Sequence, residues 1–472
     1  MSAASSALIR SQPDAGASAA AGHAAALLPF LRQLGQPGSM QSPRRVAVIG
    51  SGIAGLSAAW AISSQAQVTL FEAGKYFGGH THTVEVELEG HKHGVDTGFL
   101  VFNERTYPLL IQLFQQLAVE VAASEMSFSV QLPDQGLEWS GTNLNGVFAQ
   151  RYNLLRPGFW GMLADLLRFN ALCNALASSG EEAAMAQPIG EFLREQRFGN
   201  AFRDWYLMPM VACIWSCPTA QMLSFPVSTL IRFCHNHGLL QISQRPQWFT
   251  VNGGAKRYVD KLLAGIQDAR LSSPVTGVQR LAQGGVMLRT GQGSERFDAV
   301  VMASHSDQSL RLLDDASLQE RQVLGAIGYH CNRAVLHTDA SLLPRRRRAW
   351  AAWNYEHGGR RSGVEEQAVC LHYLLNRLQP LPWQQPLLVS LNPVREPVQK
   401  QILGEFDYAH PVFDAAAVAA QSKVGLLQGQ GDVWFCGAWT RYGFHEDGLL
   451  SGLTVAKTLL DGWAQRPALA AG

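Results

Sequence analysis

Long uninterrupted apolar runs are missing from this 472-residue sequence, which contains no stretch of about 18 or more apolar residues, the length a helix needs to cross a bilayer. An excess of one charge is missing too. With 38 basic and 37 acidic residues the net charge is +1, leaving no field to gather a polyanion, and neither zinc-finger nor RNA-recognition spacing occurs, so nucleic acid is excluded as an expected partner. Cysteine is sparse: Cys173, Cys213, Cys217, Cys234, Cys331, Cys370 and Cys436 are odd in number and scattered among apolar neighbours. That pattern reads as reduced thiols of a cytoplasmic protein. Cys213 and Cys217 lie four apart, but no second ligand pair follows them, so no metal centre is expected. Only 16% of residues are charged against 47% hydrophobic, a globular and not a disordered composition, and the length exceeds what one core supports, so two domains are expected.

The first 40 residues are rich in Ala, Ser, Gly and Gln, and their longest apolar stretch, Ala24 to Leu31, is interrupted by Pro29 and lacks a basic region before it. A secretory signal is disfavoured. Residues 1–40 read as a disordered extension, with Met40 standing as an alternative start just ahead of the first strand.

Arg45-Val46-Ala47-Val48-Ile49 is a short apolar run suited to a buried parallel strand, and it breaks into Gly50-Ser51-Gly52-Ile53-Ala54-Gly55 before a helix-forming Leu-Ser-Ala-Ala-Trp-Ala. This is G-x-G-x-x-G in its required setting. Gly50 permits the tight turn, Gly52 lets the backbone approach a pyrophosphate, and Gly55 lets helix and strand pack while unpaired helix N–H groups face the phosphates. A second strand, Gln67 to Phe71, ends at Glu72, about 20 residues on, where a carboxylate accepts hydrogen bonds from ribose hydroxyls and disfavours a 2'-phosphate.

The continuation Ala73-Gly74-Lys75-Tyr76-Phe77-Gly78-Gly79-His80, with Val95-Asp96-Thr97-Gly98-Phe99, resembles the flavin-containing amine oxidase and phytoene desaturase superfamily. The resemblance implies FAD, with the Gly-Gly turn near the flavin phosphates and ribityl chain. His80 stands where relatives carry an arginine. Phe249 to Gly254 resembles the Gly-Gly element before a helix (Lys256 to Ala264), and Pro274-Val275 falls where relatives contact adenine. Asp432 to Ala438 reads as a strand and turn, with Ala438 replacing an acidic residue of relatives, and Gly448-Leu449 is expected to open the last helix towards the flavin ring. The implied cofactor set is Gly50, Ser51, Gly52, Ile53, Ala54, Gly55, Glu72, Ala73, Gly78, Gly79, His80, Thr97, Gly98, Val275, Gly437, Ala438, Gly448 and Leu449. The implied fold is α/β, a Rossmann-like FAD-binding domain of discontinuous segments (44–103, 246–305, 428–465) with an α+β substrate domain (104–245, 306–427).

In that substrate domain Phe159, Trp160, Phe169, Trp205, Tyr206 and Trp215 suggest an apolar cavity. Amine oxidases of the superfamily commonly hold a water with a lysine; the matching position falls at about Asn332, one residue of their aromatic pair falls at His445, and no lysine occurs between Lys261 and Lys400. Both departures argue against amine oxidation. The chain resembles a bacterial subgroup often encoded beside enzymes similar to cyclopropane fatty acid synthases, which implies acyl chains. The expected reaction is dehydrogenation (desaturation) or isomerisation of a hydrophobic, acyl-lipid-like substrate by hydride transfer to flavin N5, with His445 of Phe444-His445-Glu446-Asp447-Gly448 as the candidate proton acceptor. An amine or polyamine oxidase, and a flavoprotein whose flavin serves binding or structure, are the alternatives; the electron acceptor, a redox partner or O2, stays open. Four arginines, Arg345 to Arg348, beside Trp350 and Trp353 offer peripheral contact with the inner membrane face, against the simpler reading of a solvated loop.

Overall fold

Val46 to Ile49 are buried, and the strand Arg45–Ile49 is hydrogen-bonded on both edges, as a near-continuous apolar run of a parallel sheet should be. In this computed structural model, which describes residues 19–34, 44–181, 185, 187–215, 222–241, 245–357 and 370–465, that strand is the centre of a five-stranded parallel sheet. Its neighbours are Gln67–Phe71 and then Asp268–Arg270 on one side, Ala299–Met302 and then Val433–Phe435 on the other. The chain thus doubles back at Arg45–Ile49, and the crevice where strand order reverses is where such sheets bind ligands.

A seven-stranded, mostly antiparallel sheet runs in the order Ile402–Val412, Gly328–His337, Leu388–Leu391, Cys370–Leu374, Trp353–Glu356, Phe128–Leu132, Leu137–Ser140. All its strands come from residues 128–140 and 328–412. A small sheet crosses between the two regions, because Trp248–Val251 pairs with both Phe102–Asn103 and Val121–Ser124. Asp96 fastens the same seam: both its oxygens accept from the Ala255 N–H, at 2.9 and 3.0 Å, and Gln379 bonds its backbone.

Helices Pro157–Ser179, Met208–Trp215 and Val227–Asn236 roof the cavity between the sheets. The approach to the second is a π turn, Arg203–Leu207, with a sequence cause. Pro209 has no N–H to give the Trp205 carbonyl four residues back, so that carbonyl accepts from Trp139 Nε1 at 3.1 Å instead.

One expectation is corrected here. Residues 1–40 were read as disordered, yet Ala19–Gln33 is a helix that seats Leu27 and Leu31 against the helix Pro108–Gln116 and the terminal helix His445–Gln465. Pro29 sits within it and does not stop it, because burying a leucine stripe outweighs one lost backbone bond. Residues 1–18, Met40 and Cys217 lie outside the described residues. No helix among the described residues is long and apolar enough to cross a membrane.

Candidate active site

The glycine turn closes as its sequence requires. Gly50 has φ +101°, and a Cβ there would sit 2.9 Å from the Ala303 carbonyl oxygen; a Cβ on Gly55 would overlap the Gly50 carbonyl. Gly52 is different, because nothing lies within 4 Å of where its Cβ would be. That open space lies in front of the helix Ile53–Ile62, whose first intrahelical bond is Leu56 N–H to Gly52 O at 2.9 Å, so the N–H groups of Ile53, Ala54 and Gly55 have no helical acceptor. A dinucleotide pyrophosphate matches this donor set.

Glu72 reaches back over the turn. One carboxylate oxygen accepts from Ser51 N–H at 2.9 Å and the other from Gly74 N–H at 2.7 Å. The Ser51 hydroxyl donates to the first oxygen as well, at 2.5 Å, so it is the oxygen facing Gly74 that keeps a lone pair for a ribose hydroxyl. The Gly78-Gly79 turn docks on the same loop: Gly78 N–H donates to Ser51 at 3.1 Å, both glycines have positive φ, and a Cβ on Gly79 would lie 3.1 Å from Gly52 Cα.

These residues wall one end of a cavity of about 1480 Å³. Pockets for single drug-sized ligands are roughly 300–1,000 Å³, so this volume has room for a dinucleotide and a substrate together. Of the residues expected at the site, Gly50, Ser51, Gly52, Ile53, Ala54, Glu72, Ala73, Gly78, Gly79, His80, Gly98, Val275, Gly437, Ala438 and His445 line the cavity. Gly55, Thr97, Gly448 and Leu449 do not. Gly55 serves the turn from behind, and the Thr97 hydroxyl is engaged with the Tyr408 hydroxyl at 2.7 Å.

Gly448 and Leu449 were assigned on a helix start that the structure moves. The terminal helix begins at His445, and Gly448 N–H already bonds to the Phe444 carbonyl at 3.1 Å, so Gly448 is a packing residue whose Cβ would come 2.8 Å from Ile53 Cγ2. The acidic residues explain the earlier start. Asp447 accepts from Phe444 N–H at 3.0 Å and caps its own helix, while Glu446 accepts from Leu109 and Leu110 N–H at 2.8 and 3.0 Å and caps the neighbouring one. Burial pushes Glu446 up to about 8 and Asp447 up to about 6.

His445 lines the cavity, stacked on Phe99 with ring centroids 3.8 Å apart. Its Nε2 shares a hydrogen bond of 2.6 Å with the Tyr258 hydroxyl, which in turn lies 2.6 Å from Thr81 Oγ1. Burial lowers its pKa to about 3. A ring that resists charge so strongly is a weak base, so the surroundings oppose the proton-acceptor role expected of it.

Sequence reasoning overlooked a cluster of rings beside it. His80 lies 5.2 Å from both His410 and Tyr408 and 6.3 Å from His305, which stacks on Tyr329 at 4.5 Å. His80 Nε2 is buried without a protein partner among the described residues, and burial, with His410, His305 and His445 nearby, keeps the ring neutral. His80 lines the cavity with the rest of its ring, while this nitrogen is itself sealed from the open space. Asn332 does not reach the cavity wall; its Nδ2 lies 2.9 Å from His410 Nδ1, behind that ring. Only the position of His305, just after the strand Ala299–Met302 at the sheet's switch point, could have signalled this cluster.

The far end of the cavity is apolar and aromatic, lined by Phe128, Trp139, Phe148, Trp160, Leu163, Tyr206, Trp353 and Tyr373. No lysine among the described residues lines it. Elsewhere, Glu356, Cys370 and His372 place one potential ligand atom each within 4.8 Å of one another. Each of the charged groups there already has a partner, since His372 Nε2 meets Glu356 Oε2 at 2.9 Å, His372 Nδ1 meets Ser390 Oγ at 2.7 Å, and Arg395 Nε lies 3.4 Å from Glu356. This is a buried ion pair inside the sheet.

Among solved structures, the chain is similar to a provisionally assigned protoporphyrinogen oxidase from Exiguobacterium (18% identity, 89% of this chain and 99% of that one, TM-score 0.64). It is also similar to a CLA-producing fatty acid isomerase from P. acnes (16%, 90% and 100%, TM-score 0.62) and to cyclohexylamine oxidase from Brevibacterium oxydans (16%, 90% and 100%, TM-score 0.63). Such identities carry the fold and no further. No curated protein matches the sequence. The model of the flavin-containing amine oxidoreductase family matches residues 53–352, well over half the chain. With the glycine turn, Glu72 and the Gly-Gly element gathered on one cavity wall, the chain belongs to that family and is an FAD-dependent oxidoreductase.

Proposed function

We propose that the protein dehydrogenates or isomerises a long apolar substrate of acyl-lipid type. The observation that carries this reading is the continuity of the cavity, which runs from the nucleotide cradle into an aromatic chamber with no lysine in its described walls. An alkyl chain loses its hydration cost in such a chamber, at about 0.8 kcal/mol per buried CH₂. A protonated amine would find little there to balance its charge, because the carboxylates on the wall are Glu72, already engaged with the Ser51 and Gly74 N–H groups, and Asp407, which is exposed. The likeness in fold to a fatty acid isomerase is in keeping with this substrate class.

FAD, when bound, supplies a two-electron hydride acceptor. The protein's own contribution is to orient the chain between aromatic walls, to exclude water, and to present neutral hydrogen-bonding rings (His80, His410, His445) in place of a charged base. Cys436 is buried, absent from the cavity wall, and held up to about 12, so it offers no thiolate towards a flavin.

Anaerobic mixing of the yellow holoenzyme with acyl phospholipids, free fatty acids and a panel of primary amines and polyamines tests the reading. If an acyl lipid is dehydrogenated, the flavin absorption maximum bleaches; if it is isomerised, the hydride returns to the product, and the outcome is a shifted double bond in the recovered lipid without net bleaching; amines are expected to give neither. Rapid bleaching by an amine would instead favour the amine oxidase reading.

A further inference from the structure

Six of the thirteen large apolar side chains most exposed among the described residues fall within one short stretch, Leu144 to Leu167. Leu144 is 77% exposed, Leu155 75%, Tyr152 60% and Trp160 50%. They form one face. Trp160 Nε1 donates to the Leu154 carbonyl at 3.0 Å and its ring lies 5.5 Å from Phe148; Arg151 donates to the Phe148 carbonyl and to Asn145 Oδ1, both at 3.2 Å. The helical turn Leu144–Val147 packs on the turn Arg347–Ala349, which brings the arginine run to the rim of the same face.

That rim has one sign. Arg345, Arg346, Arg347 and Arg348 are all exposed, and of the four only Arg346 has an ion-pair partner among the described residues, Glu138 at 3.0 Å. The Arg347 guanidinium lies over the Trp350 ring at 5.3 Å, and that of Arg156 over Tyr152 at 5.3 Å. No aspartate or glutamate occurs between Trp139 and Ala164, or between Asp339 and Glu356. An apolar patch edged by arginines of which three of four lack an ion-pair partner among the described residues is out of place in water. The third observation concerns the cavity: Leu144, Trp160 and Leu167 of the patch also line it, so the chamber opens on this face.

We infer that this face docks on an anionic phospholipid bilayer, with Leu144, Leu155 and Trp160 entering the interface and Arg345 to Arg348 meeting headgroup phosphates, so that a substrate passes into the cavity from the membrane. Arginine on phosphate, and tryptophan and tyrosine at the headgroup level, are the chemistry of that interface. A second copy of this chain is a poorer occupant, since face-to-face pairing would set arginine against arginine. Docking rests on the patch and its charge alone; only the passage of substrate rests on the acyl-lipid reading of the cavity.

Flotation of the holoenzyme with mixed phosphatidylcholine–phosphatidylglycerol vesicles, and with pure phosphatidylcholine vesicles, is the test. The protein is expected to float with the anionic vesicles at low salt, about tenfold more than with the neutral ones, and to be released by high salt. Arg347→Glu with Arg348→Glu should cut flotation by about tenfold while leaving flavin content and melting temperature unchanged, because both side chains are exposed and outside the flavin cradle. Leu155→Ser should weaken it at unchanged charge. Failure to float at low salt, flotation indifferent to the charge reversal, or a salt-resistant dimer buried on this face would overturn the inference. Bleaching by lipid dispersed in detergent separates the two readings. Failure of the unsubstituted enzyme to float while it still turns over dispersed lipid defeats docking alone, whereas flotation of an enzyme that no acyl lipid bleaches and that shifts no double bond defeats the substrate reading and upholds docking.

Discussion

Two glycines three residues apart in the phosphate turn face opposite surroundings, and single substitutions should separate them. At Gly52 a methyl group enters space left open for the pyrophosphate, so Gly52→Ala is expected to keep the apoprotein's melting temperature and weaken FAD binding by at least about tenfold. At Gly55 the methyl meets the Gly50 carbonyl, so Gly55→Ala should lower the apoprotein's own stability by about 1–3 kcal/mol or more. Titration with FAD and thermal melts of both apo variants decide it; equal effects would contradict the distinction. His445 gives a second contrast. Held near a pKa of 3 and bonded to Tyr258, it should position and not ionise, so His445→Ala is expected to slow flavin reduction by about tenfold, short of the hundredfold of a lost general base, and Tyr258→Phe should reproduce the loss. A hundredfold loss together with an inflection near pH 6.5 would restore the base. Residues whose place follows from backbone conformation, such as Gly50 and Gly52, were legible in the sequence. Gly448 and Leu449 were misplaced because the helix start depends on what Glu446 and Asp447 touch, Leu109 and Leu110 among them, and a contact across 337 residues leaves no local trace.

The seven-stranded sheet carries a buried charge that its strands alone do not reveal. Burial opposes a proton on His372, but Cys370 and Glu356 beside it outweigh that and lift the ring to about 9. Its chain of partners continues through Ser390 to His337 Nε2 at 2.7 Å. Glu356→Gln strands a cation in the sheet and should cost about 3–5 kcal/mol, measured as a shift in the denaturation midpoint, with the cost shrinking as pH rises through about 9 and His372 loses its proton. A pH-independent cost would mean that His372 is neutral. The strands of the parallel sheet were readable because burial on both faces forces apolar runs such as Val46 to Ile49. Helices were harder. Pro29 and the alanine-rich context hid the packed helix Ala19–Gln33, and the π turn before Pro209 depends on a tryptophan seventy residues upstream taking the freed carbonyl.

Taken as one body, the molecule buries more neutral histidine than protonated carboxyl. His237, His337 and His410 are held near 4 and His445 near 3, with His80 lower than its ordinary value as well, each chiefly by burial. In the unfolded chain they titrate near 6.5, so the stability they lend is complete above that pH and is lost as pH falls towards 4. Asp96, Glu446 and Asp447 work in reverse: burial raises them to about 7, 8 and 6, so their contribution is complete near pH 4 and erodes as pH rises through those values. The five histidines outnumber the three acids. The melting temperature, followed by release of flavin fluorescence in excess FAD, should therefore peak near pH 6.5, fall steeply to pH 4 and decline gently to pH 8; a flat profile from pH 4 to 8 would contradict the assignment. The parallel sheet has a consequence of another kind, in the timing of synthesis. Its middle strand, Arg45–Ile49, waits for Ala299–Met302 to emerge before its second edge is paired, and the sheet is finished only by Val433–Phe435, close to the last helix. A ribosome must deliver nearly the whole chain before the cradle can hold its yellow cofactor, so the short apolar strand and the glycine turn spend most of translation half-made, and newly made protein in cells short of flavin would meet the folding machinery with that edge still open.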